Sequence, residues 1–213
     1  MFELSPLFCY DKVMNFTEPV NWINKPCIGF MVNTAFNDES LSLLSPIVEA
    51  IKVSLGDAVH VAPASSLHIT LLDWIAPLID YDGADKDLLY EKVSEKYDTA
   101  LSNAIIGHLP AKVNFTELCV SPSTIYIRGY DNGAFANIRS SFTENVRLPP
   151  NTKLPPQIIH SSLARFTKKI DLERVTQLVG MLPVDFVYEV TGFRLIRSTK
   201  EPLMEYTLLK HYH

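Results

Sequence analysis

Two short strings carry the residue types that could do chemistry. Ser66-Leu67-His68-Ile69-Thr70-Leu71 sets a histidine two positions before a threonine, and Ile159-His160-Ser161-Ser162-Leu163-Ala164-Arg165 sets one two positions before a serine. In an extended strand, side chains at i and i+2 share a face. Each string therefore puts an imidazole beside a hydroxyl on one side of a strand, with mostly apolar residues on the other. Two such strands facing one another would surround one small anion with two imidazoles and two hydroxyls. That set suits in-line phosphoryl chemistry: one imidazole removes a proton, the other donates one, and the hydroxyls hold phosphoryl oxygens. An unperturbed imidazole titrates near ~6.5, so either protonation state is accessible at neutral pH.

The bare His-x-Ser/Thr pattern arises by chance roughly once in a chain of this composition. Its weight comes from context: both copies lie in strand-like stretches, both continue with leucine, and each heads its own half of the chain. With these motifs the chain resembles the 2H phosphoesterase superfamily, which includes the cyclic nucleotide phosphodiesterases and the enzymes called 2′-5′ RNA ligases. Those families carry two His-x-Thr/Ser motifs, the second often reading His-x-Thr-Leu-Ala-Arg. Here Ser162 replaces the threonine, and the polar Ser161 stands where an apolar residue is usual. The resemblance implies an α+β fold over residues 1–213. Its two lobes would be related by a pseudo-twofold, each a mainly antiparallel sheet with outer helices, with the motifs in a central cleft. It also implies hydrolysis of a 2′,3′-cyclic phosphate, or of a relative such as ADP-ribose cyclic phosphate or a 2′-5′ bond. His68 and His160 are the candidate catalytic pair, and Thr70 and Ser162 the candidate phosphate binders. The working assignment is His160 as base, activating water, and His68 as acid, protonating the leaving ribose oxygen.

Counting parity outward from the histidines gives further candidates. Trp74 and Phe166 each stand six residues past a motif histidine, so each falls on the motif face. They could stack on a nucleobase; the alternative is core packing beyond the cleft. Tyr126, Arg128 and Tyr130 share a face of the strand before the second motif, and Tyr126 or Arg128 could touch phosphate or base. Ser161 would replace Ser162 after a one-residue slip in register. Arg165 and Asp73 have the opposite parity and should point away. His60, His108, His211 and His213 lack a hydroxyl two residues on and receive no role. No third metal ligand stands at helical or hairpin spacing from the motif histidines, so neither metal nor cofactor is expected.

The 213 residues are 47% hydrophobic and 20% charged, the balance of a water-soluble globular chain large enough for one substantial core. No apolar run reaches the ~18 residues of a membrane span. The segment from Met1 to Tyr10 lacks the basic leader of a secretory signal. Cys9, Cys27 and Cys119 form no Cys-x-x-Cys spacing and read as reduced thiols, which implies a cytoplasmic location. A net charge of −5 argues against extended nucleic acid as a partner. From Arg139 to Lys169, however, Arg139, Arg147, Lys153, Arg165, Lys168 and Lys169 face only Glu144. The second motif thus sits in a locally positive stretch that would attract a small phosphate. The expected partner is a small nucleotide or an RNA-terminus phosphate, taken up by a monomer. A non-catalytic nucleotide-binding module and an RNA-end processing or ligating protein are the rival readings.

Periodicity predicts strands over 27–32, 59–62, 67–74, 112–118, 124–130, 158–166, 186–198 and 205–209, the last two paired. It predicts helices over 41–55, 85–104, 135–146 and 171–182, with Asp171 as an N-cap. Four prolines between Leu148 and Pro156 mark a surface loop. There is no GxGxxG or Walker-type loop, which disfavours nucleoside triphosphate hydrolysis.

Overall fold

Nine strands and four helices alternate along the chain in the computed structural model, which describes residues 15–213. In order they are β1 (Pro26–Ala35), α1 (Asp38–Leu55), β2 (Val59–Val61), β3 (His68–Ile75), α2 (Lys86–Ile105), β4 (Ala111–Val120), β5 (Thr124–Tyr130), α3 (Ala134–Asn145), β6 (Ile159–Phe166), α4 (Leu172–Val179), β7 (Phe186–Val190), β8 (Phe193–Lys200) and β9 (Glu205–Tyr212). The helix starts have local causes. Asn37, Asp85 and Asp171 each accept hydrogen bonds from backbone amides of the first turn, satisfying donors that the helix itself leaves open. Gly56 ends α1 at a φ of +55°, a conformation that costs glycine little.

The strands form two antiparallel sheets, ordered β3-β1-β8-β9 and β2-β6-β5-β4-β7. This is the expected two-lobed α+β architecture. One continuous apolar core joins residues of both sheets and the helices, including Phe30, Trp74, Tyr97, Phe115, Phe142, Phe166 and Phe193.

The lobes do not divide the chain into halves as the sequence suggested. The sheet that carries the first motif is completed by β8 and β9 from the C-terminus, and the sheet that carries the second gains β2 from the N-terminal half. The predicted strand 186–198 is likewise two strands. Thr191 and Gly192 break it, β7 pairs with β4, and β8 crosses to pair with β1 and β9. A Cβ on Gly192 would stand 2.6 Å from the Tyr212 carbonyl oxygen, so only glycine lets the crossing pass beside β9. Cys27 and Cys119 carry free thiols; Cys9 and the segment Met1–Tyr10 lie outside the described residues. Among the described residues no helix is long and apolar enough to cross a membrane.

Candidate functional site

β3 is the edge strand of its sheet and lies against β6 of the other. His68 opens β3 opposite Ala35, with Thr70 opposite Asn33. His160 lies opposite Arg128 in β6, with Ser162 opposite Tyr126. The two motifs meet. His68, Thr70, His160 and Ser162 line one cavity of about 120 Å³, together with Met31, His60, Arg165 and Glu201. Cavities that enclose a drug-sized ligand are ~300–1,000 Å³. This one has room for a group the size of a phosphoryl group.

Register faults decide which neighbours join the motifs. In β3 the partners step from Thr70 to Leu72 and from Asp73 to Ile75, leaving Leu71 and Trp74 without an opposite residue. In β6 they step from Ser162 to Ala164, leaving Leu163 unpaired. Each extra residue is a β-bulge, and side chains beyond it change face. The parity count therefore fails past Leu71 and past Leu163. Trp74 and Phe166 turn into the core with 0% exposure. Trp74 is packed against Tyr90, Tyr97 and Phe142, and Phe166 lies opposite the buried Val59. Neither can stack on a base, which corrects that expectation.

The same faults bring Asp73 and Arg165 round to the cleft side. Asp73 pairs with Met31, which lines the cavity. Arg165 lines it directly and donates from Nη2 to Ser162 Oγ at 3.0 Å. Its guanidinium lies 5.4 Å from the ring centre of Trp22, and its Nε is buried with no partner among the described residues. Ser161 points to the opposite side, is 1% exposed and faces Ile127 in the ladder, so Ser162 is the hydroxyl presented. Tyr126 meets His160 edge-on at 5.6 Å. Arg128 lies over Tyr130 and within 3.9 Å of Glu117. Both share the sheet face of the second motif, outside the cavity and beside it.

His68 Nδ1 lies 2.6 Å from the Ser66 carbonyl oxygen. A carbonyl only accepts, so Nδ1 carries the proton and Nε2 keeps its lone pair in the neutral ring. At His160 the Ile158 carbonyl, also two residues upstream, favours the protonated ring. Burial is the main force on both titrations, and it pushes each imidazole down to about 4. The Ser66 carbonyl partly offsets this at His68, with Arg194, His160 and Arg165 adding to the depression. Arg165 and Arg139 add to it at His160, against the Ile158 carbonyl. Both rings are thus neutral in the empty cavity at neutral pH. A bound phosphoryl anion would favour protonation of one of them.

The hydroxyls are available. Thr70 Oγ1 donates only to the Met31 sulfur at 3.6 Å, a weak acceptor that a phosphoryl oxygen would displace. Ser162 Oγ accepts from Arg165, which leaves its own proton free to donate. Arg139 reaches from α3 and bonds to the Leu71 carbonyl through Nε (2.8 Å), the Thr70 carbonyl through Nη2 (2.8 Å) and the Ile158 carbonyl through Nη1 (3.4 Å). One guanidinium thereby ties both motif strands together beside the bulge.

Sequence reasoning missed His60, Arg165 and Glu201 as cavity residues. His60 lies opposite Arg165, and its Nε2 is buried without a partner among the described residues. Its only signal was a place in a short strand, with no partner motif to weigh. Glu201 belongs to the β8–β9 connection, which no local pattern ties to the cleft.

No protein-family model matches the sequence, and no curated protein matches it. Solved structures do. A conserved protein of unknown function from Agrobacterium tumefaciens superposes with a TM-score of 0.57 at 16% identity, covering 86% of this chain and 85% of its own. A phosphoesterase superposes at 0.51 and 16% identity, covering 87% and 97%. Escherichia coli LigT in complex with NADP+ superposes at 0.50 and 17% identity, again covering 87% and 97%. The chain shares the fold of these structures, a phosphoesterase and LigT among them.

Proposed function

We propose that the chain is a phosphoesterase that needs no metal and hydrolyses a 2′,3′-type cyclic or 2′-linked nucleotide phosphate by two-histidine acid–base catalysis. The observation that carries this reading is the convergence of His68, Thr70, His160 and Ser162 on one cavity of about 120 Å³. Thr70, Ser162 and Arg165 hold the non-bridging oxygens. One neutral imidazole takes the proton of the attacking water through its free Nε2. The other, protonated once the anion is bound, delivers a proton to the leaving ribose oxygen. Tyr126 and Arg128, beside the cavity, are placed to meet the nucleoside that extends from it. Two likenesses of fold support the substrate class: a phosphoesterase, and LigT solved with NADP+, a dinucleotide that bears a 2′-phosphate.

The test is a screen of cyclic and 2′-linked nucleotides read by phosphorus NMR, in buffer with and without EDTA. Conversion that persists in EDTA and disappears in His68→Ala and His160→Ala is the expected result. Ligands that raise the melting temperature without being consumed would make the protein a binding module.

A further inference from the structure

Glu201 is out of place in a cavity for an anion. It is 8% exposed, lines the same cavity as His68 and His160, and has no cation within 4.0 Å among the described residues. Its Oε1 accepts from Ser198 Oγ at 3.2 Å and lies 4.0 Å from Cys27 Sγ. These neutral groups from β8 and β1 hold the carboxyl in place, and burial raises its titration above the usual carboxylate range. The Asn24 amide donates to its backbone carbonyl at 2.8 Å, which fixes the β8–β9 turn as well. The Arg165 guanidinium from β6 opposes the rise at Glu201, and Glu201 in turn raises the Asp73 carboxyl of β3. The cavity wall carries three imidazoles, His60, His68 and His160, one guanidinium, Arg165, and one carboxylate, Glu201.

We infer that Glu201 sets the charge the cavity accepts: it admits a singly charged phosphodiester and weakens the hold on a doubly charged phosphomonoester. The inference rests on the proposed phosphoesterase reading. A cyclic phosphate carries one negative charge at any neutral pH. Its hydrolysis product takes on a second as its remaining acidic proton titrates, near pH ~6. Repulsion from a fixed carboxylate scales with the ligand's charge, so Glu201 penalises the product about twice as much as the substrate. Arg165 and the two hydroxyls then suffice for the substrate, and the product leaves.

The experiment measures binding of inorganic phosphate and of dimethyl phosphate between about pH 5.5 and pH 8, with nucleotide hydrolysis followed in parallel. Dimethyl phosphate stays singly charged over this range. In the wild-type protein, phosphate affinity should fall relative to dimethyl phosphate as the pH rises. In Glu201→Gln, which keeps the bond from Ser198, that relative fall should shrink about tenfold or more. Equal pH dependence for the two ligands in the wild type overturns the inference, whether or not the variant folds. So does an unchanged ratio in a folded Glu201→Gln protein. Charge discrimination without hydrolysis of any nucleotide would instead sink the substrate reading and leave the role of Glu201 standing.

Discussion

Arg139 in α3 is bonded through Nη2 to the carbonyl of Thr70 in β3 at 2.8 Å. The same guanidinium holds the Leu71 carbonyl at the bulge and the Ile158 carbonyl next to His160. Buried carbonyls that a bulge removes from the ladder need another donor, and Arg139 supplies it. It therefore positions one motif against the other without touching the cavity. Arg139→Met should cost about 2–4 kcal/mol in urea unfolding, because charge-assisted bonds to buried carbonyls are lost together. At temperatures where the variant remains folded, turnover should fall more than KM rises. Arg139→Lys, with one short donor group, should recover part of the stability. A variant that kept wild-type turnover would show that the strands hold their spacing unaided.

His68→Ala and His160→Ala should each reduce turnover by about 10²–10⁴-fold, the range of a lost general acid or base. Circular dichroism and the melting temperature should change little, since both rings border the cavity. Near wild-type rates in either variant, on every substrate accepted, would rule out the two-imidazole mechanism.

Both imidazoles titrate at about 4 in the free protein, mainly because burial disfavours the charged ring. In the unfolded chain they take up protons near ~6.5. Between these values the unfolded state binds more protons, so this contribution to stability is present above ~6.5 and is lost as the pH falls toward 4. Urea midpoints should decline across that window, less so in the alanine variants. Phosphate should raise one imidazole, seen as a shifted histidine titration by NMR. The optimum of kcat should accordingly lie above that of kcat/KM. A titration that phosphate leaves unmoved would contradict the assignment of either ring as the acid.

Asp73 shows the opposite sign. Burial pushes its carboxyl up to about 7, Glu201 adds to the rise and Lys153 opposes it. The folded state then holds a proton that the unfolded chain releases above ~3.9. The contribution is present at low pH and is lost as the pH rises to 7. Asp73→Asn should therefore stabilise the protein more at pH 8 than at pH 5, measured by urea midpoints on the same preparation. A larger gain at pH 5 would mean that the carboxylate is charged and satisfied in the native cleft.

Trp74 and Tyr126 separate the core from the rim. Trp74→Ala should cost about 3–5 kcal/mol through the cavity it leaves among Tyr90, Tyr97 and Phe142. Tyr126→Ala should leave stability nearly unchanged and raise KM for a nucleotide several-fold, in keeping with the ~1–3 kcal/mol of a lost base–aromatic contact. Loss of nucleotide affinity in a folded Trp74 variant would restore it to the cleft.

Much of this was legible in the sequence because it is local. The helix cap at Asp171, the periodicity of Leu88, Leu89, Val93, Tyr97 and Leu101, and the pairing of each histidine with its hydroxyl all follow from a few adjacent residues. The bulges were not legible. Nothing in Leu71 or Leu163 marks it as the residue without a partner, since that depends on strands β1 and β5 drawn from elsewhere. One such residue in each strand was enough to exchange Trp74 for Asp73 and Phe166 for Arg165. The break at Gly192 had a visible glycine, yet the change of sheet there depends on Tyr212, twenty residues on. Glu201 and His60 reached the cavity by tertiary placement alone.

The interleaving of the sheets has a consequence for how the molecule comes into being. Until β8 is available, β1 and β3 form an isolated pair of strands, which is marginal in water. The first histidine is therefore not held in place until β8, far downstream of β3, has left the ribosome. Neither half could be expressed alone, or exchanged with that of another protein, and still present a working pocket.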